Sequence, residues 1–507
     1  MPDQAAASRV RDDAVRAASS FIGRASFVSR SLSVSTSVAP VTLACQLAHT
    51  PASAYACRMT KRIIVVGGGI AGLTAAYTLR KDGFNVLVLE REPTPGGRMR
   101  SERHGDFVVD RGAQFIASSY HNMRALVDEL GLKPHVRRLR TGRGAVLRDG
   151  KFVSSNYAGF KAIWKARDLS LRSKIRLPLI LNDLRRARHM LDFYRIEDAA
   201  PLDDASAHDW VLRRFGREVL DYLIEPPFAS TFTVLPENLS RAFVLATIQY
   251  MFSGFRLSAF EGGNGLLTST LASKLDVRTG VAATRISQTP DGATVTLASG
   301  ETFDADAAII ATPGNHVARL CDTLTRDERR FFDGVRYASS IITFVMTSTT
   351  EADPGIYGLG ISRPEGVRLY GMAMENPKDG AVPGGKTMFN CAFSEAYAAE
   401  LMSRSDADVI EALHGELRKL PLRGLDKTEG HAVHRWPELV PQFYHGYIRS
   451  LAAFKQRRDR SDHIFFAGDY LVGPYTEAAL TSGLRAAEDV MSRFSSGTPT
   501  RSMGVTT

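Results

Sequence analysis

Gly67, Gly69 and Gly72 form a Gly-x-Gly-x-x-Gly turn directly after the apolar run Ile63–Val66. A helical run follows from Leu73 to Lys81, and a second apolar run, Asn85–Leu89, ends on Glu90. This arrangement can hold a pair of phosphates. Gly67 allows the tight turn out of the strand, Gly69 lets backbone approach a pyrophosphate, and Gly72 lets the helix pack on the strand. The helix start aims unpaired N–H groups and a positive dipole end at the phosphates. Glu90 stands near the ~20-residue spacing of an acid that accepts hydrogen bonds from a ribose. A glycine turn alone also serves as a plain connection between buried strands. The two strands, the helix and the acid together select a dinucleotide-binding unit.

Further groups point the same way. Gly96-Gly97-Arg98 is a close-approach turn carrying a cation, and Asp110-Arg-Gly112-Ala113-Gln114 is another turn after a short strand. Roughly 400 residues beyond the first turn, a strand from Asp462 ends on Gly468-Asp469, and Gly473-Pro474-Tyr475-Thr476-Glu477 opens a helix reaching Met491. Pro474 and Thr476 suit a helix start. The four cysteines, Cys45, Cys57, Cys321 and Cys391, form no C-x-x-C, and the histidines form no H-x-x-x-H. Neither a redox pair nor a metal site is expected, and a reducing compartment is the simplest reading.

These groups need elements to hold them, and 507 residues can bury more than one core. Hydrophobic content of 44% and charged content of 23% are ordinary for a globular chain. No apolar run approaches the ~20 residues of a membrane span. A net charge of +10 suits anionic ligands or an anionic lipid surface, and no nucleic-acid module is present. Residues 1–58 carry six arginines, no lysine and many Ser and Ala, a composition that fits an organellar transit segment. The favoured alternative is a start at Met59, just before the first strand. Residues 1–58 and 496–507 are expected to be mostly disordered.

Residues 155–260 read as mainly helical. Phe160–Leu179, with Arg185, Arg186 and Arg188, is basic and amphipathic. That face could rest on anionic lipid, meet an acidic substrate, or simply be solvated. Pro226 and Pro227 are expected to stop a helix and Ser240 to cap the next. Strands are expected over 280–286, 293–297, 305–312, 337–346 and 386–393, with a helix over 405–417. The stretch from His431 returns the chain to the first domain.

The dinucleotide unit, Gly96-Gly97-Arg98 and the Asp110-x-Gly112-x-Gln114 turn together resemble the flavin amine oxidase and protoporphyrinogen oxidase superfamily. The stretches Phe215–Pro226, Leu235–Ser240 and Trp436-Pro437…Pro441-Gln442-Phe443…Gly446 resemble protoporphyrinogen oxidases. The resemblance implies FAD rather than NAD, through the C-terminal Gly468-Asp469 and helix. It places Gly96, Gly97 and Arg98 along the pyrophosphate and flavin, the main chain near Ala283 at the adenine, and Asp469 near the ribityl–phosphate chain. It also places the N–H groups of Ala479 and Leu480 at the flavin pyrimidine edge. Ile70, Ala71, Arg91, Ala113, Gln114, Gly468 and Glu477 join the cofactor-binding set on the same ground. Hydride uptake at N5 leaves negative charge on the flavin, which a helix start aimed there would stabilise. No cysteine lies near Trp436–Gly468, so the FAD is expected to be non-covalent.

The chain departs from each relative. The amine-oxidase lysine on a substrate-domain strand has no counterpart in Ser339–Phe344. Tyr475 matches a flavin-facing aromatic; Tyr444 or Tyr447 could serve as a second. The arginine of protoporphyrinogen oxidases after the Asp110-x-Gly112 turn is replaced by Ala117 or a neighbour. Glu477-Ala-Ala is more like amine oxidases.

The expected fold is α/β: a doubly wound, Rossmann-like FAD-binding domain (59–154, 261–320 and 431–495) with an inserted α+β substrate domain (155–260 and 321–430). The expected activity is an FAD-dependent oxidoreductase that passes a hydride from a large, partly apolar small-molecule substrate to flavin N5, with oxygen as acceptor. Alternatives are an amine or amino-acid oxidase, a carotenoid- or squalene-type desaturase, and a non-catalytic flavin-binding scaffold. Tyr475 and Trp436 are expected to wall the substrate cavity, unless Trp436 is a core residue. The expected setting is cytoplasmic with peripheral contact to anionic membrane, or organellar if residues 1–58 are a transit peptide.

Overall fold

The computed structural model describes residues 61–154, 164, 169–252, 254 and 256–495. The expectations for 1–58, for 496–507 and for part of the basic stretch from Phe160 lie outside the described residues.

Five parallel strands form one sheet, in the order Asp276–Arg278, Asn85–Leu89, Arg62–Val66, Ala307–Ile310 and Ile464–Phe466. Successive side chains of a strand point to opposite faces. Ile63 and Val65 enter one core with Leu73, Leu79 and Val490. Ile64 and Val66 enter the other with Leu89, Ile310, Phe332 and Phe466. Both faces are covered, so the strands read as unbroken apolar runs. Helices Ile70–Lys81 and Thr476–Ser495 cover the first face. Three antiparallel strands, Ala283–Gln288, Ala293–Leu297 and Thr302–Ala305, form a separate small sheet.

A seven-stranded mixed sheet has the order Thr428–Pro441, Tyr337–Thr347, Thr387–Phe393, Leu369–Met374, Gly358–Gly360, Gly144–Arg148, Lys151–Ser154. Sheet membership shifts two expected limits. Gly144–Arg148 and Lys151–Ser154 pair into this second sheet, so the chain leaves the first region before 154. Thr428–Pro441 runs antiparallel to Tyr337–Thr347, so the return comes after Pro441 rather than at His431. The fold is mixed α/β, with the parallel Rossmann-like sheet carrying the dinucleotide turn.

Two local details bear on the site. Ser340 pairs with Trp436 and Ala338 with Val440, so Pro437, Glu438 and Leu439 bulge opposite Ser339. Proline favours such a place because it lacks an N–H for the ladder. Pro226 and Pro227 begin a helix rather than stop one. A π-turn over Leu220–Ile224 leads into helix Glu225–Phe232, whose first turn needs no N–H from them. Ser240 caps the next helix, Arg241–Phe252: its Oγ accepts from Ala242 N at 3.1 Å. No helix among the described residues is long and apolar enough to cross a membrane.

Candidate active site

A cavity of about 880 Å3 runs from the first glycine turn to the seven-stranded sheet. The turn is shaped by backbone contact. Gly67 sits at φ +114°, and a Cβ there would lie 2.7 Å from the Ala311 carbonyl oxygen. A Cβ on Gly72 would lie 2.0 Å from the Gly67 oxygen. Gly69 differs: a Cβ there would meet nothing within 4 Å, so the space above the turn is open. Gly67, Gly69, Ile70 and Ala71 face that space. Glu90 is buried beside it and accepts from Gly68 N at 2.5 Å and Glu92 N at 2.8 Å. Arg91 and Ala283 line the same end.

Gly96 N donates to the Gly68 oxygen at 2.8 Å, which lays the second glycine turn against the first. Gly97, at φ +54°, would put a Cβ 3.4 Å from Gly69 Cα. The next residue crosses the cavity. Arg98 Nη1 donates to Asp469 Oδ2 at 2.6 Å and to the Leu439 carbonyl, supplied by the bulge, at 2.8 Å. Tyr337 O–H donates to Asp469 Oδ1 at 3.2 Å. Burial works against the Arg98 cation, but the Asp469 charge outweighs it and holds its pKa above the ordinary value. Gly468, Asp469 and Ala479 line the cavity beside it. The N-terminal and C-terminal half-sites therefore meet. Gly483 makes this possible, since a Cβ there would lie 2.2 Å from the Ala71 oxygen.

Ala113 and Gln114 line the middle of the cavity. Gln114 Nε2 donates to the Asp110 oxygen at 2.8 Å, and its Oε1 accepts from Lys378 Nζ at 2.9 Å. Lys378, only 3% exposed, lies 3.1 Å from Asp110 Oδ2 and 2.6 Å from Glu375 Oε2. Burial opposes its charge, yet the two carboxyl groups hold its pKa above the ordinary lysine value. No lysine stands in Ser339–Phe344, and nothing in the loop around Lys378 signalled this cluster.

Tyr475 and Trp436 both line the cavity. Trp436 Nε1 donates to the Arg111 oxygen at 3.0 Å, and its ring packs against the core around Phe344, so it is wall and core at once. Burial lifts the Tyr475 phenol pKa well above its usual value. Its ring stacks on Phe193 at 4.2 Å, and Phe193 stacks on Tyr250 at 4.0 Å. Phe193 and Tyr250 are thus the aromatic companions of Tyr475. Tyr444 and Tyr447 are not: their hydroxyls donate to the Gly334 and Tyr470 oxygens, and neither lines the cavity. Phe193 and Tyr250 were missed because they lie in the helical stretch, in no motif.

Three expected residues stand behind the wall. Gly72 lies under the turn, and Leu480 is fully buried in the core. Glu477 is fully buried as well, with a carboxyl pKa raised by burial. It accepts from Asn122 N, Met123 N and the Tyr194 hydroxyl, each at 2.8 Å. It holds the start of helix His121–Glu129, where a negative charge is favourable. Cys321 and Cys391, the described cysteines, are buried and do not line the cavity.

The open space above Gly69, the helix start beneath it, and Arg98 beside Asp469 fit the phosphates and flavin of FAD. The cavity size falls in the ~300–1,000 Å3 range of ligand pockets. The family described as flavin containing amine oxidoreductase matches residues 70–491. Coproporphyrinogen III oxidase of Bacillus subtilis is 24% identical over 437 residues, 78% of this chain and 90% of that protein. The mitochondrial protoporphyrinogen oxidase of Nicotiana tabacum is 24% identical over 503 residues, 86% of this chain and 96% of that protein. Among solved structures, wild-type putrescine oxidase bound to putrescine shares the fold with a TM-score of 0.69 at 18% identity, covering 85% of this chain and 99% of that one. With the glycine turn, Arg98 and the C-terminal helix meeting on one cavity, the chain belongs to the flavin containing amine oxidoreductases and is an FAD-dependent oxidoreductase.

Proposed function

We propose that the chain oxidises a large, partly apolar substrate of the porphyrinogen kind. The observation that carries this reading is the extent of the cavity. Besides the flavin end, its lining includes Phe115, Phe228, Phe232, Leu257 and Met372, which form a largely apolar chamber, with Arg111 beside Trp436. Such walls bury an extended apolar body. The porphyrinogen oxidases among the relatives match over nearly their full length.

Bound FAD supplies the hydride acceptor. Gly69, Ile70 and Ala71 would hold its pyrophosphate, Glu90 and Ala283 its adenosine end, and Arg98, Asp469 and Ala479 its flavin end. The start of helix Thr476–Ser495 favours negative charge at Ala479 without reorganising. The aromatic stack and the chamber orient the substrate and exclude water; positioning of this kind can lower a barrier by up to about 7–11 kcal/mol.

The test is anaerobic mixing of the holoenzyme with porphyrinogens, polyenes and amines. Bleaching of the flavin by porphyrinogens, reversed by air, is expected. Bleaching by amines alone would favour the second reading, an amine oxidase, for which the Tyr475–Phe193–Tyr250 stack offers a cation–π face.

The reading extends to peripheral membrane contact from the cytoplasmic side. Leu171, Ile175 and Leu181 are 64%, 62% and 53% exposed on helices Leu171–Arg176 and Leu179–Ala187, among Arg172, Lys174, Arg176 and Arg185. Exposed apolar residues interleaved with cations suit an anionic bilayer. Met251, 48% exposed, lines the cavity and marks its mouth on a helix that packs against Leu179–Ala187.

A further inference from the structure

The cavity wall carries Asn390, whose side chain turns one polar atom away from its protein partners. Asn390 lies on strand Thr387–Phe393, in register with Ala373 and, one strand further, Gly358. All three line the cavity, and two of them present no polar side chain. Asn390 is 7% exposed. Its Nδ2 donates to Glu375 Oε1 at 2.7 Å and to Gln114 Oε1 at 3.3 Å. A carboxylate accepts and cannot donate, so the amide nitrogen must face Glu375. The amide orientation is therefore locked, and Oδ1 turns away from the cluster without a hydrogen bond from the described residues.

The lock is itself held. Glu375 is fully buried and paired with Lys378, and Lys378 also binds Asp110 and Gln114. Asp110 is fixed in turn by Asn264 N at 2.8 Å and by the Ser101 hydroxyl at 2.6 Å. Lys378 donates to Asp110 and Gln114 and is ion-paired with Glu375, and both amide hydrogens of Asn390 are spent inside the cluster. What Asn390 leaves for the cavity is one acceptor, its Oδ1. Behind it, two carboxyl groups face one ammonium, which favours an N–H donor over an anionic group.

We propose that Asn390 Oδ1 is a specificity-determining acceptor for a substrate N–H, held in place by the Glu375–Lys378–Asp110 cluster. It rests on the reading that this chamber takes the substrate, and it narrows the substrate to molecules with an N–H, such as a pyrrole or an amine. A site built to bond an N–H rejects the analogue without it, because its own buried acceptor is then left unpaired.

The test uses the holoenzyme and needs no turnover. Indole and 1-methylindole, alike except for the N–H, are titrated against the visible spectrum of the bound flavin. Indole is expected to bind about tenfold more tightly, and the preference is expected to vanish in Asn390→Leu. In Glu375→Gln, whose amide can accept or donate, Asn390 loses its lock and the preference should fall to about threefold. Equal affinities in the wild-type protein, or no indole binding, overturn the proposal without any variant. So does an Asn390→Leu protein that keeps the preference but shifts the resting flavin spectrum, which would place Asn390 on the cofactor. If porphyrinogens fail to bleach the flavin while the indole preference stands, the proposed reaction falls and this acceptor remains.

Discussion

At the phosphate end of the cavity, the shape comes from three glycines within a six-residue turn, each set by backbone contact or by the space it leaves. At the chamber end, Phe193, Asn390, Trp436 and Tyr475 come from four separate stretches and are held by stacking, a buried ion cluster and a strand bulge. The first end is local and steric. The second is distributed and depends on partners. A steric site fails at once when an atom is added, whereas a distributed site changes by degrees as its supports are removed.

The sharpest way to break this contrast lies inside the turn. Gly72→Ala drives a methyl into the Gly67 oxygen, and we expect a loss of at least about 4 kcal/mol together with the flavin. Gly69→Ala has room for its methyl, so the fold should keep its stability while the pyrophosphate loses its seat. Thermal unfolding and the flavin content of the two purified variants separate these outcomes. Two equally unstable variants would erase the distinction between packing and binding glycines.

Arg98→Met probes the link between the ends. It leaves Asp469, 7% exposed, without its cation, and an unpaired buried charge costs about 3 kcal/mol. Flavin should also bind more weakly, read as release on dilution. Unchanged stability would show that Tyr337 and solvent suffice for Asp469.

The smallest expected effect is at the chamber. His434, behind Trp436, is buried, which pulls its pKa from 6.5 to about 4 despite Glu102 nearby. The unfolded chain takes up this proton first. The stability tied to neutral His434 is thus complete above pH 6.5 and is lost as the pH falls towards 4, on the order of 2–3 kcal/mol. Denaturant unfolding of wild type and His434→Gln at pH 7 and pH 4.5 should show a smaller acid loss in the variant. Equal losses would remove His434 from the account.

The contrast also explains what could be read from the chain alone. The turn at Gly67, the helix after it, Glu90 and the second half-site at Gly468-Asp469 were legible because each follows from residues adjacent in sequence. The ion pair of Arg98 with Asp469 was not legible, since nothing local pairs them; resemblance placed each near the flavin separately. Phe193, Tyr250 and Lys378 were illegible for the same reason, because each gains its role from partners remote in sequence. Glu477 stands behind the wall for an instructive reason: an acid in the first turn of a helix can serve a neighbouring helix start as readily as a ligand. The strand Thr428–Pro441 carries two prolines, residues unusual inside a strand, and tolerates them because Pro437 sits in a bulge and Pro441 at the strand end.

The close approach of Gly483 to Ala71 has a consequence for how the protein is made. Domains emerge from the ribosome N-terminal end first. The first glycine turn is synthesised early, but the strand Ile464–Phe466 and the helix that closes over it are nearly the last elements to appear. The nascent chain therefore exposes a half-built seat for most of its synthesis. A chain cut short before Gly483 lacks the helix segment that packs on Ala71 and closes the seat.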